Sequence, residues 1–125
     1  LRHIEGLGDI PENIVVAASV DQMAVLKKAD VFLSHCGMNS VNESLYFEVP
    51  LVMFPQTNEQ TGVARRVEQV GAGVFLKENR NDAIRSALER VLDQACYKEA
   101  AKKISDGFKK CGGAKAAAEA ILKVV

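Results

Sequence analysis

A chain of 125 residues with 48% hydrophobic and 26% charged side chains has the size and balance of a single soluble globular domain. Lysine plus arginine and aspartate plus glutamate both come to 16, so net charge offers no simple electrostatic route to nucleic acid, and none is expected as a partner. No apolar run approaches the ~20 residues of a membrane span, no secretory leader opens the sequence, and Cys36, Cys96 and Cys111 are odd in number and widely spaced. They form neither a disulfide framework nor a metal knuckle, and the expected setting is reducing and cytoplasmic.

Residues 1–9, with Gly6 and Gly8, carry no clear pattern. Pro11-Glu12-Asn13 predicts a turn into Ile14-Val15-Val16, a β-branched run suited to a buried strand. Met23, Leu26 and Ala29 recur at helical spacing and predict a helix over 22–29. A second strand is expected at 31–33, ended by Ser34-His35-Cys36-Gly37. A helix follows over 40–47, stopped by the extended preference that Pro50 imposes on Val49. Residues 51–54 read as a third strand closed by Pro55, and 59–70 as a helix with Gly71 as its C-cap. A fourth strand is expected at 73–76. Beyond Lys77, Ala83, Ile84, Ala87, Leu88, Val91 and Leu92 form one helical stripe, with Asn81 or Asp82 as N-cap. Ala100, Ala101, Ile104 and Phe108 predict another helix, interrupted at Gly112-Gly113, and the alanine-rich tail over 114–125 predicts a last one. Four short apolar strands alternating with helices imply the α/β class, a parallel sheet covered on both faces.

In open parallel sheets, ligands bind beyond the carboxyl ends of the strands, where loops enter helix N-termini. Two such loops are rich in polar groups. In Ser34-His35-Cys36-Gly37-Met38-Asn39-Ser40, Gly37 permits a tight turn and close backbone approach. The N–H groups opening the next helix, with the Ser40 hydroxyl, suit an anion, and His35 can donate to a phosphate oxygen. Glu43 lies one turn further along the same helical face, placed to accept from adjacent ribose hydroxyls. Equally, Ser40-x-x-Glu43 fits a capping box that needs no ligand, and His35 fits a structural histidine. The second loop, Pro55-Gln56-Thr57-Asn58-Glu59-Gln60, offers Glu59 and Gln60 either to sugar hydroxyls or simply as first-turn helix residues. Adjacent His35 and Cys36 lack the spacing of zinc ligands.

Together these segments resemble the donor-binding signature of family 1 nucleotide-sugar glycosyltransferases, the group of UDP-glucuronosyltransferases, plant secondary-metabolite glycosyltransferases and bacterial macrolide glycosyltransferases. The matching residues read Q-x-x-x-L from Gln22 to Leu26, SHCGMNSVNESL from Ser34 to Leu45, and VPLVMFPQTNEQ from Val49 to Gln60. The resemblance implies a Rossmann-like parallel sheet, the C-terminal half of a GT-B fold short of its first strand and helix. Residues 1–125 would form a partial donor-binding domain, with C-terminal helices from about 81 onward. It further implies that His35, Gly37, Asn39 and Ser40 hold the donor diphosphate, Glu43 the ribose, Gln22 the base edge, and Glu59 and Gln60 the transferred sugar.

The signature departs from its family at Ser19 and Asp21, where a tryptophan that stacks on uracil and a proline usually stand. Met38 takes a place often held by tryptophan in the plant group. The resemblance implies transfer from a UDP-sugar, with a TDP-sugar as the other donor, to a small-molecule hydroxyl with inversion. It implies no cofactor and no metal. The usual general base lies in an acceptor-binding N-terminal half, so no catalytic residue is expected in this chain, which alone would be inactive. That half would belong to the same chain or to a separate subunit. A donor-binding subunit of a two-subunit enzyme and a non-catalytic nucleotide-sugar module are the alternatives. An open sheet edge would also permit a homodimer.

Overall fold

The computed structural model describes residues 6 and 8–124; most of the unpatterned opening (1–5 and 7) and the last residue of the tail lie outside them. The elements run α1 (Gln22–Leu26), β1 (Phe32–Ser34), α2 (Met38–Tyr46), β2 (Leu51–Met53), α3 (Asn58–Gln69), β3 (Gly73–Phe75), α4 (Asn81–Asp93), α5 (Ala95–Lys110) and α6 (Gly113–Leu122). The strands form one parallel sheet in the order β1-β2-β3, with Phe32 opposite Leu51 and Val52 opposite Val74. This is the α/β, Rossmann-like architecture expected from the alternation of apolar runs with helical stripes.

β2 explains why the sheet needs cover on both sides. Alternate side chains of a strand point to opposite faces, and here Leu51, Val52 and Met53 are all fully buried. Leu51 and Met53 join Val41, Leu45, Ala64, Val67 and Ala101 beneath α2, α3 and α5. Val52 faces the other way, onto Leu76, Ala87, Val91 and Tyr97 under α4 and α5. At about 1.5–3 kcal/mol for each large side chain fully buried, this central strand anchors both layers. No helix among the described residues is long and apolar enough to cross a membrane.

The helices end where backbone geometry allows. α3 stops in a Schellman arrangement: Gly71 takes φ 77°, its N–H donates to Glu68 O, and the Ala72 N–H donates to Val67 O. α2 ends in the same way at Glu48, φ 63°, with the N–H groups of Glu48 and Val49 donating to Leu45 O and Ser44 O. The stop therefore precedes the position at which Pro50 would impose one.

Several expectations need correction. Residues 14–16 do not form a strand: the Ile14 N–H closes a turn onto Pro11 O, and Val15 is 93% exposed. A β-branched run becomes a strand only where a neighbour supplies the ladder, and among the described residues β1 pairs only with β2. The first helix is shorter than its periodicity suggests, ending at Leu26, with Asp21 capping it by accepting from the Ala24 N–H at 3.0 Å. The N-cap of α4 is Arg80, not Asn81 or Asp82. Asp82 instead pairs with the Arg80 guanidinium at 2.8 Å.

Candidate functional site

The carboxyl ends of all three strands open on one cleft. It measures about 420 Å³ and is lined by Leu33 and Ser34 at the end of β1 and His35 just after it, Phe54 and Gln56 after β2, and Leu76, Asn79 and Ile84 after β3. Most of its polar side chains, His35, Gln56 and Asn79, come from the loops that follow the strands, with Ser34 at the very end of β1.

The loop after β1 sets the start of α2. Cys36 is buried and takes φ 69°, a left-handed conformation that a non-glycine residue adopts only at a cost. Its N–H donates to Ser34 Oγ at 3.1 Å. The turn expected at Gly37 is thus made at Cys36. Gly37 has φ −59° and is the N-cap of α2, without a side-chain cap bond. What Gly37 provides is space: a Cβ there would lie 3.1 Å from His35 Nε2. The exposed imidazole therefore lies against the mouth of α2.

Because α2 begins at Met38, Ser40 occupies its first turn and is not its N-cap. The capping-box reading of Ser40-x-x-Glu43 fails on this point. The first helical bond runs from the Val41 N–H to Gly37 O, and the N–H groups of Met38, Asn39 and Ser40 have no acceptor among the described residues. Such an open helix start carries a partial positive charge. Asn39 is exposed beside it.

Ser40 and Glu43 are joined through α1. Gln22 Nε2 donates to Glu43 Oε2 at 2.7 Å and to Ser40 Oγ at 3.2 Å. His35, the open turn of α2, Ser40, Gln22 and Glu43 therefore form one continuous polar track. Glu43 also borders an apolar groove of about 390 Å³ with Met23, Asn42, Tyr46, Phe47 and Phe108.

The second loop is organised differently. Thr57 caps α3 by accepting from the Gln60 N–H at 3.3 Å, and Gln60 Oε1 accepts from the Gln56 N–H at 2.8 Å. A side-chain exchange of the capping-box kind is thus found at Thr57-x-x-Gln60. Gln60 supports the loop that carries Gln56 into the cleft. Glu59 is exposed in the first turn of α3 and makes no side-chain hydrogen bond among the described residues. Gln56 and Asn79 are cleft residues that the sequence pattern does not single out. A signal for Asn79 exists all the same: it follows β3 at the same edge of the sheet as the other two loops.

Burial raises the Cys36 thiol from its ordinary 9.0 to about 11. It therefore stays neutral near pH 7 and packs as part of the core under the loop.

Residues 1–111 match the family model described as "Erythromycin biosynthesis protein CIII-like, C-terminal domain". The chain belongs to this family. Relatives of the EryCIII-like domain are glycosyltransferases. The protein named "Uncharacterized UDP-glucosyltransferase YojK" of Bacillus subtilis is 43% identical over 128 residues, covering 99% of this chain and 32% of its own length. The glycosyltransferase of kitacinnamycin superposes with a TM-score of 0.89 at 32% identity, over 98% of this chain and 33% of that one. The spinosyn rhamnosyltransferase SpnG, solved with thymidine diphosphate, superposes with a TM-score of 0.77 at 25% identity, over 84% of this chain and 30% of that one. The EryCIII-like chain thus spans about a third of the length of these relatives and corresponds to the C-terminal half of a GT-B enzyme.

Proposed function

We propose that this EryCIII-like domain binds the nucleotide-diphosphate sugar of an inverting glycosyltransferase that glycosylates a small-molecule hydroxyl. The open N-terminus of α2, flanked by His35 on one side and the Gln22–Ser40–Glu43 cluster on the other, carries this reading. N–H groups of Met38, Asn39 and Ser40 would hold the diphosphate, with Gly37 giving room and the side chains of Asn39, Ser40 and His35 donating to its oxygens. Glu43, one turn behind, would accept from the ribose hydroxyls. Gln22 would close the nucleoside end towards the base edge, while its side-chain amide holds the Glu43 carboxylate in place. Glu59 and Gln60, in the first turn of α3, and Gln56 in the loop before it would meet the sugar.

In the reaction, an acceptor oxygen attacks the anomeric carbon as the bond to the diphosphate breaks. Charge then grows on the leaving oxygens. Helix N–H groups and a histidine already aimed at them would lower that barrier without reorganising. The base that takes the acceptor proton would come from an acceptor-binding half, so we assign no catalytic residue to this chain. UDP and TDP both fit the proposal: one relative is named for UDP-glucose transfer and another was solved with thymidine diphosphate. The free thiols of Cys36, Cys96 and Cys111 support a reducing, cytoplasmic setting.

The test is an amide chemical-shift titration of the chain with UDP, TDP and GDP, in wild type and a His35→Ala variant. Saturable shifts centred on residues 35–43, weakened in the variant, are expected with UDP or TDP. A folded wild type that shifts with none of the nucleotides would refute the assignment.

A further inference from the structure

The loop that presents the helix start is held in a conformation its own residues disfavour. Cys36 is left-handed at φ 69° and fully buried, so its side chain cannot swing out to relax the backbone. Sγ lies 3.9 Å from Ser34 O, at the van der Waals limit for a weak S–H donor. The firm local bond is the one from the Cys36 N–H to Ser34 Oγ at 3.1 Å. Ser34 can supply it because it is itself fixed. It ends β1 in register with Met53, its carbonyl accepts from the Phe54 N–H at 2.9 Å, and it is nearly buried.

We propose that Ser34 is a positioning residue for the donor. Its hydroxyl locks Cys36 left-handed, which places His35 over Gly37 and starts α2 at Met38, leaving the N–H groups of Met38, Asn39 and Ser40 open. Ser34 need not touch the diphosphate for this. The inference rests on the diphosphate reading of the α2 N-terminus.

The test compares UDP with uridine, which lacks the phosphates, by amide-shift titration of the whole chain. Ser34→Ala should raise the Kd for UDP about ten-fold, the scale of one lost hydrogen bond, and leave that for uridine unchanged. Ser34→Thr keeps the hydroxyl and should bind UDP as wild type does. Cys36→Gly supplies the decisive arm. Glycine adopts positive φ without the steric cost, so adding Ser34→Ala to Cys36→Gly should change the UDP affinity little. A merely structural role predicts the opposite, because two losses of core stability accumulate and the glycine rescues nothing.

Equal UDP affinity in wild type and Ser34→Ala overturns the inference and leaves the diphosphate reading intact. The same holds if Ser34→Thr loses affinity as Ser34→Ala does, or if the double variant shows the full additional loss. Should Ser34→Ala fail to fold, the threonine variant and the double variant decide the matter. Absence of saturable UDP and TDP binding in folded wild type brings down the diphosphate reading and this inference with it.

Discussion

Gly37→Ala separates the two jobs a glycine can do at a helix start. At φ −59° and ψ 133° its backbone is open to any residue, so alanine meets no conformational barrier. Alanine is a poorer N-cap than glycine by roughly 1 kcal/mol. It also restricts the unfolded chain, which contributes about 0.4–1 kcal/mol in the other direction. The new Cβ would lie 3.1 Å from His35 Nε2 and 3.8 Å from Cε1. His35 is exposed, so its ring can move aside with little strain. The folding free energy should therefore change by less than about 1 kcal/mol, the small difference of these terms. Binding should change more. If His35 donates to the diphosphate as proposed, displacing the imidazole removes a bond to a charged phosphate of about 1.5–3 kcal/mol, which is a ten- to hundred-fold weaker UDP complex. Denaturant unfolding and UDP titration of Gly37→Ala, His35→Ala and the double variant test both halves. Since both changes act through one imidazole, the double variant should bind little worse than His35→Ala alone. Strictly additive losses, or a Gly37→Ala variant that binds UDP as wild type does, would refute the reasoning.

Glu43→Gln should weaken UDP by about ten-fold or more, the scale of a hydrogen bond to a charged acceptor, and should weaken TDP less, because its deoxyribose offers one hydroxyl fewer. Paired titrations with the two nucleotides check this, and an equal loss for both would place Glu43 away from the ribose. Cys36 makes stability fall with alkali. Its folded pKa of about 11 lies above the ordinary 9.0, so its contribution is intact below pH 9 and declines as pH rises towards 11. The full loss is about 3 kcal/mol, read as the pH-dependent difference between wild type and Cys36→Ala in urea unfolding; parallel curves would contradict it. Gly73→Ala should damage the fold far more than Gly37→Ala does. A Cβ at 73 would collide with Leu51 O across the β2–β3 ladder, and the strand pair must separate. A loss of about 3 kcal/mol or more is expected in thermal or chemical unfolding, against a gain of about 0.5–1 kcal/mol for Gly62→Ala inside α3, where the new Cβ meets nothing within 4 Å.

Periodicity located the sheet because β2 is buried on both faces and must be apolar at every position. It misplaced residues 14–16 because Val15 and its neighbours are as β-branched as a buried strand, and composition cannot report whether a partner strand lies alongside. Helix lengths were legible where a stripe faces the core, as in α4 and α5. They were less so in α1, where Met23 continues the pattern but is half exposed. Asp21 looked in the sequence like a departure from its family's pattern; in the structure it caps α1 through the Ala24 N–H, which a proline could not do.

The polar residues gathered at the candidate site were legible, but the register of α2 was not, and the proposed diphosphate contacts depend on that register. Ser40-x-x-Glu43 and Thr57-x-x-Gln60 are the same local pattern, yet only the second marks a helix start. The difference is tertiary. Burial of Cys36 and its bond to Ser34 force the left-handed turn that starts α2 ahead of Ser40. α3 satisfies one first-turn N–H, that of Gln60, through Thr57, while α2 has no side-chain acceptor at its first turn. α4 also opens near the cleft without a side-chain cap, but Asp82 already places a carboxylate in its first turn. Capping is worth about 1 kcal/mol. Helices α4, α5 and α6 also start without a side-chain cap bond, so it is the setting of the α2 start, beside His35 and ahead of a Glu43 held by Gln22, that supports the anion site we propose.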